Sequence, residues 1–340
     1  MDTTKSAEKL GSSVLSHTSP RRVSESGRPS FSVVIPLHNK VRHVAACLES
    51  VQAQTFAPVE IIVVDDASTD SSGDLVRGFT DPRIRLLHRS EPGPGGYAAR
   101  NLAIDSASGD WIAFLDADDI WLPNHLADIA AAIARHPEVG CVATRYIHVH
   151  DDRRVPSRVS PQLLATADRP ADLAGFLELW LDLGECPIWT GSAAFARKTL
   201  DMAGAFPAGR ASRGGDKDLW LRAVARSPFS YVGEASAEFH RDSDNKVSKM
   251  TTTTSLPIIV ETARAMIAQA NARERALLRR LVNLQIALYA RYSFKGAAVS
   301  RDFSRHIYLP EGIGAYALVA ASRLLPTSVR RTLYRAMKLA

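Results

Sequence analysis

The stretch WIAFLDADD, residues 111–119, decides how this chain is read. It begins as an apolar run of strand length and ends in three carboxylates within four residues. A short unbroken apolar run between turn signals fits a strand buried on both faces. Like charges packed this closely raise one another's pKa, so a chain that keeps them has a use for the negative charge. An earlier stretch repeats the pattern: VEIIVVDDASTD, residues 59–70, runs from β-branched residues straight into Asp65 and Asp66.

Around these two stretches, strand and helix patterns alternate. FSVVIPLHN (31–39) predicts a buried strand broken at Pro36, and VRHVAACLESVQAQ after it has Val41, Val44, Leu48 and Val51 at helical spacing. A further helix through Leu75 and Val76 precedes RIRLLH (83–88), a third strand, and GGYAARNLAIDSA (95–107) opens on glycine and continues as a helix. Such alternation implies βαβ units: an α/β fold with a mainly parallel, mixed central sheet flanked by helices. Ligands of open α/β sheets bind outside the carboxyl ends of the strands, so the two acidic clusters are expected to meet at one crevice. A helix at about 123–135, a strand in GCVATRYIHVH and an Arg/Pro/Ser-rich variable loop at 151–170 follow. GGDKDLWLRAVARS then reads as an amphipathic helix, and the expected catalytic unit closes near Ser248.

Of the 340 residues, 46% are hydrophobic and 23% charged, enough for one large domain or two smaller ones. A net charge of +6 and a pI near 9.3 suit an anionic partner such as nucleic acid, acidic lipid or a nucleotide. Cys47, Cys141 and Cys186 lack CxxC spacing and read as buried thiols of a reduced cytoplasm. No stretch has the apolar length of a spanning helix. Residues 1–30 are polar, without an apolar h-region, and read as a disordered tail. Beyond Ser255 the character changes. Residues 258–293 look like long Arg-rich helices. In 316–340, Arg323, Arg330, Arg331, Arg335 and Lys338 interleave with Leu324, Leu325, Val329, Leu333 and Tyr334. That pattern fits helices packed on the domain with a solvated basic face, or peripheral attachment to an anionic membrane.

Several acidic residues could carry chemistry. In a strand, Asp116 and Asp118 would point to the same side, and hard oxygens at that spacing suit Mg2+ or Mn2+ shared with substrate phosphates. The plainer reading is a turn cluster, with Asp119 starting the next helix. Asp66, at a strand end, could accept from a ribose or a base N–H, or belong to an Asx-turn. Asp216, at the start of a helix after two glycines, could be a general base or an N-cap. His240 could touch a metal or a phosphate, or be an ordinary satisfied histidine.

Taken together, SVVIPLHN, VEIIVVDDASTD, ARNLAIDSASGDWIAFLDADD, TGSAAF with a later GAFP, and GDKDLWLRA resemble family 2 glycosyltransferases in order and spacing over about residues 31–250. The resemblance implies the GT-A fold, with residues 31–122 as the nucleotide-binding half, 123–250 as the acceptor half, and 255–340 as a basic, helical C-terminal extension outside the family region. It implies an inverting, metal-dependent transfer from a nucleoside-diphosphate sugar, with a UDP-sugar favoured and Mg2+ or Mn2+ as cofactor. Pro36 and His38 would wrap the nucleobase, Asp66 would hold base or ribose, and Arg100 would flank the pocket. Asp118 would be the direct metal ligand, with Asp116 nearer the ribose and diphosphate and His240 a further candidate ligand. Asp216 matches the catalytic base, and Trp189 and Gly191 lie on the acceptor side. The expected acceptor is a glycan or a lipid-linked glycan of cell-surface polysaccharide or glycolipid synthesis. The expected location is cytoplasmic, at the inner face of the membrane through residues 313–340, with no nucleic-acid partner.

This chain departs from the family pattern at His38, where Tyr is frequent, and at Gly215-Asp216, where Glu-Asp is common. Three other readings compete. A phosphatase with a strand-end DxD would place it on an early strand and follow it with Thr or Val where Ile120 stands. A dinucleotide oxidoreductase needs a glycine-rich turn after the first strand, and IPLHNK has no glycine. A non-catalytic nucleotide- or glycan-binding relative would not need the intact DxD and Asp216.

Overall fold

The computed structural model describes residues 27–151, 153–241 and 254–339. Most of the tail expected at residues 1–30, and the end of the expected catalytic unit near Ser248, lie outside the described residues. β1 (Phe31–Leu37), β2 (Glu60–Asp66), β3 (Ile84–Arg89) and β4 (Trp111–Phe114) pair in parallel in the order β3-β2-β1-β4. The sheet continues through β8 (Ala193–Ala196), β6 (Cys141–His150), β9 (Phe229–His240) and β5 (Ile120–Trp121), with β7 (Arg153–Pro156) hydrogen-bonded beside β6. β6 and β9 run in the direction of β1 to β4, while β5, β7 and β8 run against them. The expected α/β class and mixed, mainly parallel sheet are therefore what the chain forms.

β1, β2 and β4 are apolar on both sides because both faces are covered, while the edge strand β3 is only partly buried. Val34, Ile62 and Phe114 point into one core; Val33, Ile61 and Ala113 point into the other. The second core is closed by α1 (Val44–Gln52), α2 (Ser72–Arg77) and α4 (His125–Arg135). The first contains α3 (Tyr97–Ser106), α6 (Leu173–Leu183) and α8 (Gly215–Val224), with the short α5 (Pro161–Ala165) and α7 (Arg197–Ala203) at its border. Helices α9 (Ile258–Ile267), α10 (Ala272–Ser293) and α12 (Ile313–Leu324) share that first core, where Val260 and Leu278 lie in the same cluster as Phe176 and Trp220. Between α10 and α12 lies α11 (Asp302–Arg305), and α13 (Thr327–Leu339) ends the described chain.

Three expectations need correction. WIAFLDADD is not strand throughout: β4 stops at Phe114, and the Asp119 N–H donates to the Asp116 carbonyl at 3.0 Å, closing a turn. The same-side argument for Asp116 and Asp118 in a strand therefore does not apply. Asp119 does not start a helix; it is buried before β5, and α4 begins only at His125. The span 151–170 is not merely loop, since β7 and α5 lie within it; α5 is capped by Ser160, whose hydroxyl accepts from the Leu163 N–H. Of the three thiols, Cys47 and Cys141 are buried and Cys186 is half-buried.

Candidate active site

The carboxyl ends of β1, β2 and β4 bring the expected residues to one rim. After β1, His38 donates from Nδ1 to the Asp66 carbonyl at 2.8 Å, which makes the neutral ring Nδ1-protonated. Asn39 sits at φ 53°, a left-handed turn that Asn tolerates, and its side-chain oxygen accepts from the Thr69 N–H at 2.7 Å. Asn39 thereby ties the end of β1 to the loop after β2. Asp66 is buried; its carboxylate accepts from Arg89 and, at 3.0 Å, from the Gly93 N–H. Asp65 accepts from the Ser68 N–H at 2.9 Å, which is the Asx-type contact that DDASTD suggests. The two aspartates thus divide: one holds its own loop, the other faces the turn that opens α3.

That turn is built on Gly95 and Gly96, at φ 73° and 66°. A Cβ on Gly96 would lie 3.2 Å from the Arg100 guanidinium and 3.5 Å from the Pro36 Cβ, so Pro36, Gly96 and Arg100 are in close packing. Arg100 is buried, donates to the Gly95 carbonyl at 2.9 Å and pairs with Asp116. Asp118 pairs with Lys40 at 2.9 Å. Each DxD carboxylate therefore faces a basic side chain supplied by a different element. Beneath them the Cys47 thiol is pushed up by burial and then by the nearby Asp119, Asp118 and Asp116 charges, which leaves it protonated and unreactive.

Asp216 stands in the first turn of α8, not at its N-cap; the cap position is Gly214, at φ 74°. Its carboxylate accepts from the Thr190 hydroxyl at 3.4 Å. Tyr97 fixes the same turn to the rim: its hydroxyl accepts from the Gly215 N–H at 2.8 Å, and its ring stacks on Phe206 at 5.8 Å. Burial first, and then the Asp216 charge, push the Tyr97 phenol well above its usual range. Burial works against the Arg100 charge, and Asp116, then Tyr97 and Asp216, favour it, so both carboxylates lie near it. Trp189 packs against Tyr146 and Phe239 at 4.7 and 5.0 Å. Gly191 lies under the Trp189 ring, where a Cβ would come within 2.4 Å of it, and its carbonyl accepts from Trp121 Nε1 at 2.7 Å. Gly191 thus offers this rim no side chain, and Thr190 between the two is what reaches Asp216.

His240 joins from the end of β9. Its N–H donates to Asp119 at 2.9 Å, and its Nε2 donates to Glu238 at 3.2 Å. Glu238 is held below the usual carboxylate range by His240 and by Arg154. Sequence reading missed Lys40, Arg89, Tyr97 and Glu238. Lys40 and Tyr97 adjoin quoted motifs, in HNK and GGY, and a search for bases to balance the acidic clusters could have found Lys40 and Arg89. Glu238 gave no signal beyond its place two residues before His240.

Among the described residues no three His, Cys, Asp or Glu side chains form a cage for a metal ion. Asp116 and Asp118 nevertheless fit Mg2+ or Mn2+, which usually take one or two carboxylates and complete their shell with water and substrate phosphates.

Residues 32–200 match the family model described as glycosyl transferase family 2. Those residues form a family 2 glycosyltransferase domain. Among curated relatives, WfgD of Escherichia coli, a UDP-Glc:alpha-D-GlcNAc-diphosphoundecaprenol beta-1,3-glucosyltransferase, is 36% identical over 131 residues, 38% of this chain and 51% of WfgD. Glycosyltransferase GlyG of Streptococcus pneumoniae is 42% identical over 92 residues, 26% of this chain and 30% of GlyG. These matches span about half of the relative or less. Residues 1–349 of S. aureus TarS, solved with UDP-GlcNAc, superpose with a TM-score of 0.60 at 20% identity, covering 86% of this chain and 81% of that one. The mannosyltransferase PcManGT of Pyrobaculum calidifontis, solved with GDP-Man and Mn2+, gives 0.56 at 20% identity, covering 95% and 85%. The shared fold is GT-A, a curled mixed sheet with helices on both faces and further helices at the C-terminus.

Proposed function

We propose that the chain is an inverting, metal-dependent glycosyltransferase that moves a sugar from a nucleoside-diphosphate donor, a UDP-sugar, to an acceptor hydroxyl. One observation carries the reading: around Arg100 the carboxylates fall into two kinds. Asp116 and Asp118 sit at the end of β4 against basic side chains, while Asp216 approaches from α8 against a neutral hydroxyl. A transferase of this kind needs both, since one set must stay ionised near the diphosphate and the other must take a proton.

In this reading Pro36, His38 and Asp66 border the base and ribose, and Arg100 orients Asp116. Asp118, with Asp116 and a weaker claim from His240, would hold a divalent cation, which supplies Lewis-acid stabilisation of the leaving diphosphate. Asp216 accepts the proton of the acceptor hydroxyl as that oxygen attacks the anomeric carbon from the face opposite the leaving group. One displacement inverts the configuration. Residues 31–250 would be the transferase unit, its nucleotide half 31–122 and its acceptor half 123–250 with Trp189 near the acceptor, and 255–340 an added helical element. The WfgD name, with its diphosphoundecaprenol-linked acceptor, supports a lipid-linked acceptor here, and on that acceptor the proposal extends to cell-surface polysaccharide or glycolipid synthesis at the inner membrane face.

The test is a thermal-shift series with UDP, GDP, dTDP and their sugars, with Mn2+ or with EDTA, because a ligand of the folded state raises its stability by mass action. UDP or a UDP-sugar should give the largest shift, and only with the metal. Asp118→Ala should remove that shift. Asp216→Asn should keep it and lose about 10²–10⁴-fold in turnover. Substantial transfer by Asp216→Asn would show that the base lies elsewhere.

A further inference from the structure

A cleft of about 210 Å3 opens between the 209–213 loop, the start of α9 and Tyr289 of α10, with Pro94 at its other wall. Pro94 belongs to the turn whose next residue, Gly95, holds Arg100. Tyr289 packs close to the helix start that carries the candidate base. A Cβ on Gly214, two residues before Asp216, would lie 2.8 Å from the Tyr289 hydroxyl. Burial pushes that hydroxyl's pKa up to about 12, with the nearby Arg213 charge drawing it down and the nearby Asp216 charge pushing it further up. The cleft therefore lies between the turn that holds Arg100 and the first turn of α8 that carries Asp216.

Its lining is cationic at one wall and apolar at the other. Arg210 and Arg213 lie on one side, Leu256, Pro257 and Ile258 on the other. Arg210 is largely offset, since it pairs with Glu261 at 3.2 Å on an exposed edge. Arg213 is half-buried and its guanidinium lies over the Tyr292 ring at 4.7 Å; guanidinium N–H groups are well suited to phosphate oxygens. The volume is below the about 300–1,000 Å3 of a pocket that takes a whole drug-sized ligand, so the cleft suits one group of a larger molecule.

We propose that this cleft is an acceptor subsite that takes a phosphate or diphosphate ester carried by the acceptor, with Arg213 as its anchor. The inference rests on the transferase reading above and deepens it. Placing the ester on Arg213 sets a neighbouring sugar hydroxyl toward Asp216, and the Arg213 charge offsets the repulsion between that ester and the carboxylate.

Isothermal titration of the full chain tests it, first with UDP and Mn2+, then in their presence with α-D-GlcNAc 1-phosphate, a decyl diphosphate of the same sugar, and methyl α-D-GlcNAc. The phosphorylated compounds should bind at least tenfold more tightly than the methyl glycoside. Arg213→Gln should weaken them tenfold or more, and Arg213→Lys should recover part of the loss. Equal affinity for the two phosphorylated probes means that the ester itself is recognised; tighter decyl binding means a lipid-linked source. Wild-type affinity in a folded Arg213→Gln chain, a methyl glycoside that binds as well as the phosphates, or no binding by any probe would overturn the proposal. UDP binding without phosphate binding keeps the donor reading and sinks this one. Arg213-dependent phosphate binding without UDP binding does the reverse.

Discussion

The His125 ring stacks on Trp121 at 4.3 Å, and its Nδ1 lies 3.0 Å from the Ser236 hydroxyl, fully out of water. Burial pushes its pKa down to about 3. An unfolded histidine titrates near about 6.5. Below that pH the unfolded chain takes up a proton that the folded chain refuses. The stability His125 permits is thus complete above about 6.5 and is lost as pH falls toward 3, at about 1.4 kcal/mol per pH unit. His125→Gln should unfold with a shallower pH dependence between pH 6.5 and 4 in thermal melts, and equal slopes would show that another group governs the window. At this scale Asp119 teaches the same lesson as His125. Asp119 was expected to start a helix; burial instead made it the acceptor of the His240 N–H.

Among elements, α13 departs most from its sequence pattern. Arg330, expected on a solvated basic face, is buried and donates to the Ser293 carbonyl at 3.0 Å and to the Thr327 hydroxyl at 3.0 Å. Ser293 ends α10, so the cation meets the negative end of that helix. Arg330→Met keeps much of the volume and loses both bonds. It should destabilise the docking of α13 by about 1–3 kcal/mol, read as faster amide exchange in that helix. Unchanged exchange would mean that the buried bonds add nothing. Helical periodicity fixes which residues share a face, but which face turns inward depends on what the neighbouring helix offers.

Across the whole molecule, the face left outward by the last two helices is partly apolar. Leu324 is 81% exposed and Ile313 71%, with Tyr316, Val329 and Leu333 also in water. Arg323, Arg331 and Arg335 lie exposed among them. No helix among the described residues is long and apolar enough to cross a membrane. A mixed apolar and basic face of this kind supports the proposed contact with an anionic bilayer. The full chain should sediment with liposomes containing phosphatidylglycerol and less with neutral ones, and Ile313→Ser with Leu324→Ser should release it. Equal partitioning of the two chains would remove the membrane from the account.

By itself the sequence determined the centre of the parallel half, because strands covered on both faces, such as β2 and β4, are written as apolar runs, and their acidic ends, because those runs stop in carboxylates. It also carried the family resemblance, since the motifs keep their order. Tertiary structure alone decided the partners: Lys40 on Asp118, Arg100 on Asp116, Tyr97 against Gly215 and Tyr289 against Gly214. These contacts join residues from 16 to 118 positions apart, across separate elements. Local propensity has no access to such pairings, which arise only when the packing of two cores brings the strand ends, α8 and α10 to one place.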